Sequence, residues 1–235
     1  MIVSHALKLI FIKPMKVAGT SIEIALSRHC GEADIITPFG KKDEALRADL
    51  GFTGTRGYAK SWANMTPRDW AALAYYRKRP KIYLNHATAE DVQKTLPDEI
   101  WTSYLKVAVV RNPFDFAVSM YFWEQRFGPL PPFRQWLIET PEVLVRNRSI
   151  THINGSNAMD FMIRYEHLDE DLKILGDKLG LGDQIADDMK SIKTKSDKRP
   201  SDRTPQKMFE GFEEGLALVE LLCAEDIRNF GYARP

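Results

Sequence analysis

The spacing of apolar and polar positions predicts strands that alternate with helices along the chain. The segment "LKLIFIKP" (7–14) is nearly all apolar, which is typical of a parallel strand covered on both faces. The next segment, "TSIEIALSRHCG", has the apolar spacing of a helix, and Thr20 or Ser21 can cap its first turn. "YLKVAVVRNP" (104–113) predicts a central strand that ends at Arg111. This alternation predicts an α/β fold with a mainly parallel central sheet flanked by helices.

Capping signals divide the rest of the chain into further elements. Thr66 followed by Asp69, and Thr88 followed by Asp91, both have the pattern of a capped helix start. Between these two helices, "KIYLNH" predicts a strand that ends at His86. Toward the end of the chain, "MDFMIRYEHLDEDLKILGDKLGL" predicts a strand followed by an amphipathic helix, and "EEGLALVELLCAEDIRNFGY" predicts a final helix.

Two segments have the composition of exposed loops. Residues 40–60 are polar and contain glycine, so we expect a long loop that borders a substrate cleft. Residues 193–207 hold six basic and two acidic residues, which predicts an exposed basic loop. The chain has 235 residues, of which 44% are apolar, and we expect them to form a single domain, 1–235.

Composition argues against several classes of partner. The chain has 33 basic and 32 acidic residues, and a net charge of +1 gives no general attraction to nucleic acid. Cys30 and Cys223 are the only cysteines, which favours two buried thiols in a reducing compartment, although one bridge between them stays open. No apolar run reaches the ~18 residues that cross a bilayer, and no signal-peptide pattern is present. We therefore expect a cytoplasmic protein without stable membrane insertion.

The loop after the first strand has the chemistry of an anion-binding site. Its residues are Lys16, Val17, Ala18, Gly19, Thr20 and Ser21. A helix N-terminus presents unbonded amides and a partial positive charge, the hydroxyls add donors, and Gly19 lets the backbone approach a ligand. Such a loop between a buried strand and a helix makes the expected sheet P-loop-like. A tight strand-to-helix turn with an ordinary cap is the alternative interpretation.

A second cationic site is predicted after the central strand. Arg111 ends this strand, Asn112 caps the following helix, and Ser119 lies about two helical turns further on. A guanidinium next to a hydroxyl suits a second phosphate, and ligands of open α/β sheets bind at the carboxyl ends of the strands. An exposed arginine with an unrelated polar helix position is the alternative.

A magnesium-dependent kinase or nucleoside triphosphatase is the rival enzyme class. Its phosphate loop has the form G-x-x-x-x-G-K-[ST], and an acidic residue at a strand end holds the metal. In this chain Lys16 precedes Gly19 by three positions, and the central strand ends in Arg111. The sequence therefore disfavours a metal site.

The two motifs together resemble those of sulfotransferases that use 3′-phosphoadenosine 5′-phosphosulfate (PAPS) as donor. "PMKVAGTS" is similar to the P-K-x-A-G-T-[ST] loop of the glycan-modifying branch, and "VVRNPFDFAVSMY" is similar to the R-N-P-x-D motif with a serine eight residues after the arginine. "IRYEHLDEDL" and "DIRNFGY" extend the resemblance weakly. Residues 40–78 and 128–157 match nothing in the family pattern.

The resemblance implies a role for each matching residue. Residues 16–21 would hold the 5′-phosphosulfate, with Lys16 near the leaving oxygen, and Arg111 and Ser119 would hold the 3′-phosphate. Arg199, in the basic loop, is a further candidate contact to the 3′-phosphate, and a solvated run of charges is the alternative for that loop.

The lysine and the general base are open to alternatives. Met15 stands where the family has proline, so Lys13 stays open as an alternative to Lys16. His86 is the candidate base, since its ordinary pKa of ~6.5 leaves it largely neutral at neutral pH, and the family uses a histidine or a glutamate between the two motifs. A role in the start of the next helix is the alternative for His86, and His152 is the reserve base.

The resemblance implies a hydroxyl-bearing acceptor, a glycan or a glycolipid, and no metal. Four tryptophans are candidates for a sugar-stacking platform, although aromatic residues at helical spacing are usually core: Trp62, Trp70, Trp123 and Trp136. The alternative from another class is a nucleotide-binding regulatory module that keeps the pocket without turnover. The sequence does not predict the oligomeric state.

Overall fold

The structure is a computed structural model that describes residues 1–192, 200 and 202–235. Its strands are β1 Ile2–Ser4, β2 Leu9–Phe11, β3 Ile35–Ile36, β4 Leu105–Val110, β5 His152–Ile153, β6 Ser156–Asn157 and β7 Phe161–Arg164. Its α-helices are α1 Gly19–Ser27, α2 Lys41–Asp49, α3 Pro67–Tyr76, α4 Ala89–Thr95, α5 Asp98–Ser103, α6 Pro113–Glu124, α7 Phe133–Glu139, α8 Arg148–Thr151, α9 Leu168–Leu179, α10 Gln184–Ser191, α11 Pro205–Phe209, α12 Glu213–Leu222 and α13 Ala224–Phe230. Short 3₁₀ helices cover Trp62–Asn64, Gln125–Phe127, Pro141–Val145 and Tyr165–His167.

A mixed five-stranded sheet forms the centre of the described fold, in the order β3-β1-β2-β4-β7. β2, β4 and β7 pair in parallel, whereas β1 is antiparallel to both β2 and β3. The prediction of an α/β fold is confirmed, and the sheet, expected to be mainly parallel, is mixed and partly parallel. The short first strand explains the difference, because the four residues between β1 and β2 allow a direct antiparallel return and no crossover helix.

Both faces of the sheet are covered, as the apolar strand patterns predict. Alternate residues of the parallel strands point to opposite faces. One face packs against α1, α9 and α10 through residues that include Phe11, Val109 and Leu175. The other face packs against α4 and α5 through residues that include Ile10 and Ala108. This two-sided burial fixes the register of the strands, since a shift by one residue would reverse every side chain.

A third apolar cluster lies among the helices that follow β4. Phe114 and Val118 of α6 pack with Trp136 of α7, Phe209 of α11 and Val219 of α12. These contacts hold the first turns of α6, where the second predicted site lies. Among the described residues, no helix combines the length and the hydropathy that crossing a bilayer requires.

The structure corrects several predicted elements. The expected loop at 40–60 begins with α2, and the predicted final helix is interrupted at Cys223. "KIYLNH" forms a single antiparallel bridge between Ala59 and Lys81 in place of a strand, so the expectation that His86 ends a strand is wrong. The helix starts at Thr66 and Thr88 are confirmed, since the hydroxyl of each accepts a hydrogen bond from an amide three residues later.

Candidate functional site

The loop between β2 and α1 has an unusual backbone. Lys16 and Ala18 have φ angles of 59° and 58°, in the left-handed region, while Val17 between them does not. A left-handed residue beside a right-handed one turns successive amides toward one side, an arrangement known as an anion-binding nest, and the positive φ angles at 16 and 18 are the feature of such a nest that this loop shows. Left-handed φ costs a non-glycine residue ~1–2 kcal/mol. Two such residues in one loop are therefore consistent with a functional role.

The helix after this loop begins one residue earlier than the sequence indicates. α1 starts at Gly19 with Ala18 as its cap residue, and no side chain caps it, so the prediction that Thr20 or Ser21 is the cap is wrong. Both residues lie instead in the first turn of the helix. Gly19, Thr20 and Ser21 all line the same cleft.

Lys13 is almost fully buried, yet it also belongs to the lining of this cleft. Its side chain is only 2% exposed, and its Nζ lies 2.6 Å from Oε2 of the fully buried Glu23. Burial lowers the pKa of Lys13. A Cβ placed on Gly19 would stand 2.4 Å from Cγ of Lys13, so the lysine stem occupies the space that a side chain at 19 would need. This packing explains why residue 19 is a glycine, which the sequence alone does not show.

Glu23 and Arg47 are buried charges that the sequence analysis missed. Burial alone would raise the pKa of Glu23, but the Met1 amine and Lys13 outweigh it and lower the pKa. Arg47 is also fully buried, and its guanidinium lies 4.2 Å from the ring of Phe39, whose ring centre is 4.3 Å from Lys13 Nζ. The one sequence signal for this cluster is an acidic residue inside the apolar run "IEIAL".

Arg111 joins the two predicted anion sites. Its Nη1 donates hydrogen bonds to the carbonyl oxygen of Lys16 at 2.6 Å and to Oγ of Ser119 at 3.2 Å. Its Nε donates to Asp115 Oδ2 at 2.7 Å, and the ring of Tyr165 lies 4.1 Å from the guanidinium carbon. From the sequence we expect Arg111 and Ser119 to line one wall of a cleft, and in the structure the two side chains are in direct contact.

His86 is held at the same edge of the sheet by a hydrogen bond, since it does not lie at the end of a strand. Its Nδ1 lies 2.9 Å from the carbonyl oxygen of Lys13, two residues beyond the end of β2. A carbonyl oxygen only accepts, so Nδ1 carries the proton and Nε2 presents a lone pair. The ring is exposed at the cleft, yet the surrounding protein atoms desolvate it and lower the pKa of His86. The hydrogen bond to the Lys13 carbonyl raises the pKa, but desolvation outweighs it, so the ring is neutral at neutral pH with Nε2 as the basic nitrogen.

These groups surround one cleft of about 620 Å³. Its walls contain all of residues 16–21, together with Arg111, Ser119 and His86. Lys42 and Arg126 add exposed cations that the sequence analysis did not single out, and Asp43 is the one acidic residue among the described residues of the lining. Four rings supply apolar surface: Phe39, Phe122, Trp123 and Tyr165. The cleft is therefore cationic with flat apolar walls.

Asn85 is a further cleft residue without a sequence signal of its own. Its Oδ1 is buried and has no hydrogen-bond partner among the described residues. A buried amide oxygen without a partner costs free energy, so a donor supplied by a ligand would be favoured there.

The remaining candidates lie elsewhere. Trp123 lines the cleft, Trp136 is core at 1% exposure, and Trp62 and Trp70 stack on each other at the surface. His152 is in β5 and borders a separate small cavity with Asp226. Arg199 and most of the basic loop fall outside the described residues.

The described residues also bear on thiol chemistry and metal binding. Cys30 and Cys223 are free and buried, and burial raises the pKa of each thiol to about 12. Within the described part of the chain, no group of three or more histidine, cysteine or acidic side chains is placed to hold a metal ion.

Comparisons of the chain with protein-family models, curated proteins and solved structures found no match.

Proposed function

We propose that this chain is a sulfotransferase that moves a sulfuryl group from PAPS to a hydroxyl of an acceptor, a glycan or a glycolipid. The observation that carries the proposal is the junction of two distant motifs in one cleft, through the hydrogen bond from Arg111 to the carbonyl oxygen of Lys16. The nest after β2 and the parallel pairing of β2 with β4 support a P-loop-like interpretation of the sheet.

The cleft suits a donor with several negative charges and a flat base. Its volume of about 620 Å³ lies within the ~300–1,000 Å³ typical of small-molecule sites. In the proposed arrangement, residues 16–21 hold the 5′-phosphosulfate at the N-terminus of α1, and Arg111 with Ser119 holds the 3′-phosphate. The aromatic walls are available to the adenine and to the acceptor.

His86 and Lys16 divide the chemistry in this proposal. As the acceptor oxygen attacks sulfur, Nε2 of His86 takes the hydroxyl proton. The bond between sulfur and the 5′-phosphate oxygen breaks, and 3′-phosphoadenosine 5′-phosphate leaves. Lys16 and the amides of the nest stabilise the negative charge that develops on the leaving oxygen. In-line positioning and fixed positive charge supply the catalysis.

Transfer of labelled sulfate from PAPS tests the proposal. Glycan, glycolipid and phenolic acceptors would be incubated with wild-type protein and with His86→Gln, and binding of 3′-phosphoadenosine 5′-phosphate would be measured by calorimetry. We expect sulfated product with wild type, and a loss of ~10²–10⁴-fold in turnover with His86→Gln while nucleotide binding is kept. Nucleotide binding without transfer to any acceptor would favour a regulatory module. ATP turnover that a chelator abolishes would favour the kinase class.

A further inference from the structure

Residues 58–84, here called the basic aromatic arm, form an excursion from the fold. The carbonyl oxygen of Tyr58 accepts hydrogen bonds from the amides of Ile82 and Tyr83 at 2.8 and 3.2 Å, so the two ends of the arm meet. Residues 58–82 are all at least partly exposed, whereas Tyr83 near the end of the arm is buried in one of the apolar clusters of the sheet. α3 is part of the arm, and none of its residues packs into any of the three apolar clusters.

The arm concentrates the exposed apolar side chains of the protein. Six of its large hydrophobic residues are exposed: Trp62, Trp70, Tyr75, Tyr76, Ile82 and Leu84. Only Phe127, Ile138, Ile174 and Leu221 are comparable in the rest of the described chain. Trp62 and Trp70 stack with ring centres 5.6 Å apart, and Tyr75 is 81% exposed. Such a concentration marks a binding surface, because scattered single residues are the norm.

The arm is also strongly basic. It contains six basic residues and one acidic residue, while the whole chain has a net charge of only +1, so the rest of the chain is net acidic. The acidic residue, Asp69, is occupied by an ion pair with Lys60 at 2.6 Å and by the cap of α3. "RKRPK" (77–81) lies beside the aromatic residues, and the guanidinium carbon of Arg79 is 4.9 Å from the ring centre of Trp62.

We propose that the basic aromatic arm docks the protein on the surface of an anionic lipid bilayer. Trp and Tyr combine an apolar body with a polar edge, which suits the headgroup region, and Lys and Arg are attracted to anionic headgroups. A soluble polyanion would satisfy the charge but would leave the six apolar side chains in water. The arm residues line no part of the 620 Å³ cleft, which argues against a small ligand. Surface docking requires no membrane-spanning helix.

The arm leads directly into the cleft. Leu84, its last residue, is followed by Asn85 and His86, both of which line the cleft. A docked protein would thus hold the cleft near the lipid surface. Docking does not depend on the proposed sulfuryl transfer, and a vesicle-binding experiment tests it separately.

Sedimentation of the full chain with lipid vesicles tests the arm. One set of vesicles contains phosphatidylcholine with phosphatidylserine, and the other contains phosphatidylcholine alone. We expect binding to the anionic vesicles that weakens as salt is added, together with quenching of tryptophan fluorescence by brominated lipid. Equal binding to both sets, or binding to neither, would overturn the proposal.

Matched variants locate the binding surface. Arg77→Gln/Lys78→Gln/Arg79→Gln should weaken vesicle affinity at least ~10-fold, since each basic residue near the surface contributes to attraction. The control Lys173→Gln/Lys178→Gln/Lys190→Gln removes the same charge from α9 and α10 and should bind within ~3-fold of wild type.

A second pair of variants tests the apolar contribution. Tyr75→Ser/Tyr76→Ser should weaken binding, whereas Phe127→Ser/Leu221→Ser, which exchanges two residues that are each 74% exposed elsewhere, should not. Equal losses in an arm variant and its control would refute docking through the arm. Two other results would also refute it, if vesicles do not bind. One is self-association in sedimentation velocity that the arm variants abolish, and the other is a tight complex with a sulfated polysaccharide that they abolish. Circular dichroism checks that each variant is folded.

Discussion

Nη1 of Arg111 donates a hydrogen bond to the carbonyl oxygen of Lys16 across 95 positions of sequence, at 2.6 Å. Arg111 follows the last residue of β4, and Lys16 lies in the loop after β2, the strand that pairs in parallel with β4. The contact ties the loop after β2 to the end of β4 and so limits the geometries that the two loops can adopt. Such preorganisation reduces the entropy lost on binding.

Replacing this guanidinium by an amine should separate charge from geometry. Arg111→Lys keeps the positive charge but cannot reach Asp115, Ser119 and the Lys16 carbonyl together. We expect affinity for 3′-phosphoadenosine 5′-phosphate to fall ~10–100-fold in calorimetry. Arg148→Lys, which alters an arginine paired with Glu225 away from the cleft, serves as control and should bind normally. Equal affinity of Arg111→Lys and wild type would show that the guanidinium geometry is not needed for nucleotide binding.

Lys13 and Lys16 should respond differently to substitution. Lys13→Ala leaves the carboxylate of Glu23 buried with one partner fewer, and breaking such a pair costs ~3–5 kcal/mol. Lys16 is only half-buried, and Lys16→Ala should change the free energy of unfolding by less than ~1 kcal/mol while lowering the rate of sulfuryl transfer. Urea unfolding and transfer assays measure the two effects.

A paired variant controls for the buried charge. In Lys13→Met/Glu23→Gln both ionic partners become neutral and keep a similar volume, so part of the stability should return. If this double variant is stable but inactive while Lys16→Ala is active, Lys13 is the functional lysine and our assignment of Lys16 is wrong.

The sequence predicted those parts of the fold whose local signals agree with the final packing. β2 is an apolar run that is buried throughout, β4 is buried over its last four residues, and the capped starts of α3 and α4 use contacts within four residues. β1 and β3 carry three and two residues, and such short segments have no readable period. They exist because the edge of β2 and the edge of β1 offer hydrogen bonds.

The residues of the candidate site could be predicted from the sequence, but the contacts that bring them together could not. The spacing of Arg111 and Ser119 indicates a shared helix start, yet the contact from Arg111 to Lys16 depends on the pairing of β2 with β4. "KIYLNH" has strand propensity, but in the described fold it makes only the bridge from Lys81 to Ala59, and His86 is placed by its hydrogen bond to the Lys13 carbonyl instead. Long-range contacts of this kind leave no trace in local patterns.

The nest and the glycine beside it should respond oppositely to small changes in side chain. Ala18→Gly removes the left-handed strain at φ 58°, and we expect ~0.5–1 kcal/mol of added stability after the entropy that glycine loses on folding. Gly19→Ala would place a methyl 2.4 Å from Lys13 Cγ and should destabilise by ~1–3 kcal/mol. Gly31→Ala is the control, because its Cβ would meet nothing within 4 Å. Similar losses for both alanine variants would contradict the packing of Lys13 on Gly19.

The pH dependence of transfer should report the desolvated histidine. Desolvation lowers the pKa of His86 below its ordinary 6.5, so the basic form persists further into acid than for an exposed histidine. We expect kcat/KM to be constant at neutral pH and to fall only as the pH drops through this lowered pKa. The same shift means that stability from His86 is present above pH 6.5 and is lost on acidification, since the unfolded chain takes up the proton first. His86→Gln should abolish this acid limb, whereas His152→Gln should keep it. An acid limb that persists in His86→Gln would transfer the role of base to another group.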